Sequence, residues 1–168
     1  LQPARWYHYR FMLGDAVSPT GRTRTAPAAG DMPGALRVAF ASCQRWEHGH
    51  YAAWRHLAAD QPDLVLFLGD YIYEYATPKT TTDLARTHSL RHATTLADYR
   101  DRYALHKSDP ALQLAHATCP WAVTWDDHEV QNDYAADAGR GEAAGSAAFL
   151  AQRSAAWQAF YENMPLRT

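Results

Sequence analysis

The sequence is poor in cysteine: Cys43 and Cys119 are the two in 168 residues. That excludes a disulfide framework, and leaves each thiol as a packing residue, a metal ligand or half of a single pair. A long hydrophobic run is missing too. No apolar stretch nears the roughly 20 residues that span a bilayer. No leader-like segment opens the sequence, which carries little weight, because it starts in mid-pattern at Leu1-Gln2-Pro3, as if cut from something longer. Neither sign of charge dominates: 16 Lys and Arg stand against 18 Asp and Glu, a net charge of −2. No global field therefore points to nucleic acid or to an anionic membrane. What is present is a 47% hydrophobic and 20% charged composition. That is ordinary globular usage, enough for the core of one domain, or of a domain with a fragment beside it.

Arg5 to Leu13 (RWYHYRFML) alternates at roughly period two and reads as a strand. Gly14-Asp15 turns the chain. Ser18 to Gly34, loaded with Pro, Gly, Thr and Ala and without apolar period, reads as a linker. A strand before a linker suggests the tail of a separate β domain. Strands and helices then alternate. Leu36 to Ala41, Asp63 to Leu68 and Trp121 to Trp125 are short apolar strands, the second continuous enough to be buried on both faces. Tyr51 to Ala59, Leu96 to Tyr103, Pro110 to Ala117 with Asp109 as N-cap, and Ala147 to Asn163 read as helices. Thr80 to Arg91 is polar loop passing into helix, and Gly139 to Gly145 a glycine-rich loop. This order predicts an α/β layer fold.

The three apolar strands each end in potential ligands: Cys43, then Asp70 with Tyr73, then Asp127 with His128. In open α/β sheets, ligands gather at the carboxyl ends of strands. Asp70 offers a hard carboxylate able to bridge two cations, and Tyr73 a phenol that binds only if a strongly charged cation stabilises the phenolate. The bland reading is an acidic turn with a packing tyrosine. Asp126-Asp127-His128-Glu129 crowds titratable groups that repel one another unless a cation or base is near. Asp127 suits a metal and His128 proton donation, with Asp126 and Glu129 orienting them. The alternative is a solvated turn capping a helix. Cys43 is a soft ligand, a buried small residue, or a nucleophile served by His48 or His50. Cys119, before Pro120, reads as structural. The scattered histidines read as surface or packing residues. Arg91, Arg100 and Arg102 could face a phosphate or pair with acids.

Phe40 to Gln44 (FASCQ), Leu68 to Tyr75 (LGDYIYEY) and Thr124 to Ala135 (TWDDHEVQNDYA) together resemble the PhoD-type alkaline phosphatases, of the metallophosphoesterase class. Tyr103 to Trp121 and Phe160 to Arg167 agree in the same order. WYHYRF followed by GRTRTAP resembles the last strand and exit of the β-sandwich that precedes the catalytic domain in that family. The resemblance implies the N-terminal portion of a metallophosphoesterase-like αββα sandwich, preceded by the end of an immunoglobulin/fibronectin-like β domain. The segments would be 1–27 (last strand and exit), 28–35 (linker) and 36–168 (incomplete catalytic domain).

It also implies Fe(3+) held by Cys43, Asp70 and Tyr73, with Asp70 bridging to Ca(2+) and Asp127 on the calcium side. His128 would face the leaving group. The reaction implied is in-line attack on a phosphate ester by a metal-bound oxygen nucleophile. Export to the periplasm or cell surface follows from the same likeness, with no nucleic-acid-specific partner. The family's remaining ligands lie beyond Phe160 to Arg167. The chain alone is therefore expected to be nearly inactive and to expose apolar faces. The competing readings are a non-catalytic remnant that folds or binds metal with a partner, and a Cys43 hydrolase.

Overall fold

The alternation in the first residues builds a hairpin instead of a lone strand. β1 (Trp6–Tyr9) leads into β2 (Met12–Leu13), turns at Gly14-Asp15, and returns as β3 (Ala16–Val17) and β4 (Gly21–Arg24). β1 pairs antiparallel with β4, Trp6 opposite Arg24, and β2 with β3. The expected single strand and early linker are corrected accordingly. β4 has no apolar residue to betray it; its Arg22 guanidinium instead lies 4.3 Å from the Trp6 ring. Arg22 Nε also donates to the Thr118 carbonyl at 2.6 Å, and Arg24 pairs with Asp63, tying the hairpin to the rest. The computed structural model describes residues 1–80 and 82–166. Thr81 of the expected polar loop, and Arg167 and Thr168 at the end of the expected catalytic segment, lie outside the described residues.

β5 (Val38–Ala41), β6 (Leu64–Phe67) and β7 (Trp121–Val123) form a parallel sheet in the order β5-β6-β7. α1 (Ala52–Asp60) connects the first pair; α2 (Leu96–Lys107) and α3 (Pro110–Thr118) connect the second. α4 (Ala147–Asn163) follows β7. This is an α/β arrangement. α2 starts with a Thr95–Asp98 capping box, and Asp109 Oδ1 accepts the Ala111 and Leu112 N–H groups at the head of α3. α4 lies along α2, joined by the Arg100–Glu162 bidentate pair and by Gln152 Nε2 on Tyr99 Oη at 2.9 Å. Among the described residues no helix is long and apolar enough to cross a membrane.

The register puts Ala39, Val65 and Trp121 on one face, and Ala41, Phe67 and Val123 beside them. Trp54 of α1 packs 5.0 Å from Trp121, and His116 of α3 stacks on it at 3.8 Å. The opposite face carries Val38, Phe40, Leu64, Leu66 and Ala122 and is bare; Phe40 is 74% exposed. β6 was expected to be buried on both faces, but only one is covered among the described residues. The second sheet of an αββα sandwich is not among them.

The long segment after β6 has little regular structure, and one side chain organises it. Arg102 of α2 is 1% exposed. It donates to the carbonyls of Glu74 and Arg91, and one Nη sits 2.8 Å from a ring nitrogen of His88. A buried guanidinium is tolerated when most of its donors are taken up in this way; its Nε has no partner among the described residues.

Candidate metal centre

The loops leaving β5 and β6 are laced by backbone bonds: Cys43 N–H to the Gly69 carbonyl and Gln44 N–H to that of Asp70, both 3.1 Å. Gln44 is buried and fully used, its amide reaching the Tyr71 carbonyl and the Trp54 indole. Cys43 and Asp70 have φ of +58° and +56°, which costs an L-residue free energy and recurs at functional sites. Gly69, at φ +105°, is required: a Cβ there would lie 2.5 Å from that of Asp126. The β6 and β7 exits therefore touch.

Glu129 fastens that contact. Its buried carboxylate accepts the N–H groups of Asp70 (3.1 Å), Tyr71 (2.5 Å) and Asp126 (2.7 Å). Burial pushes its pKa up to about 7 against those three donors. Asp126 in turn accepts the Asp127 N–H at 3.0 Å. The stretch is thus a folded 3-10 turn, with His128 and Glu129 inside, rather than a solvated acidic bend.

Asp70 is the meeting point. Its Oδ2 accepts from the Tyr73 hydroxyl at 3.2 Å and lies 3.5 Å from the Cys43 thiol. One ligand atom each of Asp70, Asp127 and His128 lie within 4.8 Å of one another. Oδ1 of Asp70 is buried with no hydrogen-bond partner among the described residues. That orphaned oxygen fits a cation. Burial raises the Asp70 pKa, with His128 opposing, and burial then Asp70 itself push the Tyr73 phenol above its ordinary value. A phenolate at this position therefore needs strong positive charge beside it. Asp127 is held by the Asp133 N–H at 2.5 Å.

His128 is 9% exposed, its ring 4.2 Å from that of Tyr73 and 5.3 Å from that of Tyr75. Its Nδ1 lies 2.8 Å from Glu74 Oε2. A carboxylate only accepts, so Nδ1 carries the proton and Nε2 faces away from Glu74. Burial works against the His128 charge, but Glu74, Asp70 and Asp127 raise its pKa overall. Glu74 is fully buried, and its other oxygen accepts the Asn132 N–H at 2.9 Å. Sequence reasoning missed it. The available signal was a charged residue inside the aromatic run Tyr71 to Tyr75, where only a paired charge survives burial.

Other expected residues lie elsewhere. Cys119 is buried at the end of α3, its thiol pushed up to about 11 by burial. No histidine among the described residues hydrogen-bonds the Cys43 thiol, so a Cys43 nucleophile has no base. Arg91 pairs with Asp98, Arg100 with Glu162, and Arg102 is spent on the loop.

A family model described as PhoD-like phosphatase matches residues 38–168. The chain belongs to this family. A second model, for the N-terminal domain of PhoD-like phosphatases, matches residues 1–27. Alkaline phosphatase D of Bacillus subtilis (strain 168) is 49% identical over 170 residues, which cover 99% of this chain and 29% of that protein. A solved structure described as "Structure of PhoD" superposes with a TM-score of 0.89 at 49% identity, over 99% of this chain and 32% of that one. This PhoD-like chain thus spans about a third of the length of the relatives it matches.

Proposed function

We propose that the chain forms one side of the metal centre of a phosphoester hydrolase. The reading is carried by the convergence of Cys43 and Tyr73 on one Asp70 oxygen, with Asp127 and His128 within reach. Cys43, Asp70 and Tyr73 would hold Fe(3+), and Asp70 with Asp127 would hold Ca(2+). Thiolate and phenolate suit iron, and carboxylates suit calcium. When bound, the cations supply neutralisation of phosphate charge and activation of the attacking oxygen. The chain's own residues do the rest. His128, protonated and oriented by Glu74, gives its Nε2 proton to the leaving-group oxygen. Glu129 and Asp126 fix the two loops so that Asp70 and Asp127 keep their separation.

The bare face of β5-β6-β7 supports the finer architecture: it would pack against the second sheet of an αββα sandwich. The hairpin of residues 1–27 would belong to a preceding β-sandwich, 28–35 to the linker, and 36–168 to the catalytic domain. The same bare face favours the second reading, a segment that folds and binds metal only with a partner. Phosphate esters are the proposed substrates and the periplasm or cell surface the proposed location, from the alkaline phosphatase D relative. The test is a chimera in which this chain replaces its counterpart in that relative, assayed on a chromogenic phosphate ester with iron and calcium. Turnover is expected, and a fall of about a hundredfold or more in Asp70→Asn and Asp127→Asn. Full turnover in both variants would refute the reading; the isolated chain is expected to be nearly inactive.

A further inference from the structure

We infer that Arg45 binds a non-reacting oxygen of the phosphate group, an inference that rests on the phosphoester reading above. Arg45 follows Cys43 by two residues on the loop leaving β5. Its guanidinium carbon lies 5.9 Å from the Tyr73 ring centroid and 5.5 Å from that of Tyr75. Those two rings also flank His128. Arginine, two tyrosines and histidine therefore close a ring of contacts at the edge of the centre, with Tyr73 reaching Asp70 beneath.

Arg45 stands apart from the other organised arginines. Arg86, Arg91, Arg100 and Arg102 all place guanidinium donors on carboxylates or carbonyls. Arg45 donates no side-chain hydrogen bond to a described residue. Its one ion pair is the long contact of its buried Nε with Glu47 Oε2 at 3.5 Å, and no hydrogen bond within the described residues takes up that Nε. Glu47 is shared, its other oxygen lying 3.3 Å from His88. The two Nη groups of Arg45 donate to no described residue and match the oxygens of a phosphate group as a rigid fork. With His128 it would add positive charge to a site whose carboxylates repel phosphate.

The experiment measures inorganic phosphate binding calorimetrically on the chimera described above, supplied with Fe(3+) and Ca(2+). Arg45→Met is expected to weaken phosphate binding at least tenfold while iron uptake stays unchanged. Arg45→Lys, which keeps the charge and loses the fork, is expected to recover only part, and it decides the matter if the methionine variant does not fold. Wild-type affinity in either folded variant overturns the role of Arg45 and leaves the metal centre standing. Iron uptake by the wild type without any phosphate binding also overturns it. Failure of the wild type to take up metal removes the phosphoester reading and this inference with it.

Discussion

Glu74 and Gly69 show how much of the centre hangs on residues that touch no substrate. Glu74→Ala strips the acceptor from His128 Nδ1 and from the Asn132 N–H at once. Leaving two buried donors unpaired is expected to cost about 1–3 kcal/mol in urea unfolding, and in the chimera about a hundredfold in turnover because the imidazole loses its tautomer. Unchanged turnover would mean that His128 does not act as the acid. Gly69→Ala combines a φ of +105° with a Cβ forced onto Asp126, and is expected to lower stability by about 2 kcal/mol or more. A wild-type urea midpoint would contradict the contact between the two loops. Cys43, Asp70, Tyr73, Asp127 and His128 could be proposed from the sequence because each follows an apolar strand. Glu74 and Arg45 could not. Glu74 meets its partner 54 positions away, and Arg45 is marked by its place beside the Tyr73 and Tyr75 rings, which spacing does not encode.

At the scale of elements, the helices were the most readable parts, since caps and period write them locally. Ala147 to Asn163 came out with the expected bounds, and the Asp109 cap with Pro110 starts α3 as expected. Asp109 also holds Arg86 at 2.7 Å, so Asp109→Ala is expected to cost about 1–2 kcal/mol in thermal or urea unfolding, the upper part of the range for an N-cap loss. β4 was invisible because it pairs through Arg and Thr. The loop between β6 and α2 was unreadable because its shape comes from Arg102 and from Glu47, whose carbonyl takes the Ala85 N–H at 2.9 Å.

Glu47 makes that loop acid-sensitive. Burial would raise its pKa, but the His88 hydrogen bond, its own N–H and the Arg45 and His88 charges bring it down to about 2 from an ordinary 4.5. A carboxyl held lower in the folded state stabilises fully above its unfolded value and loses that stabilisation as pH falls through the folded one. Wild type is therefore expected to exceed Glu47→Gln in stability by up to about 3 kcal/mol near pH 6, the gap closing between pH 4.5 and about 2. A constant gap in unfolding free energy across that range would contradict the pairing.

At the scale of the molecule, the sheet has one finished face and one apolar face in solvent, with Val38, Phe40 and Leu68 exposed. Period-two reasoning finds strands but not what covers them, so β6 looked buried twice over. The isolated chain is expected to self-associate, and Phe40→Lys to reduce this in light scattering without loss of helix signal. The account turns on whether the thiol, phenol and carboxylates share one cation, and addition of Fe(3+) to the chain tests that most directly. A visible tyrosinate-to-iron charge-transfer band is expected, absent in Tyr73→Phe and weakened in Asp70→Asn. A wild type that takes up iron without the band, or a band that survives in Tyr73→Phe, would contradict it.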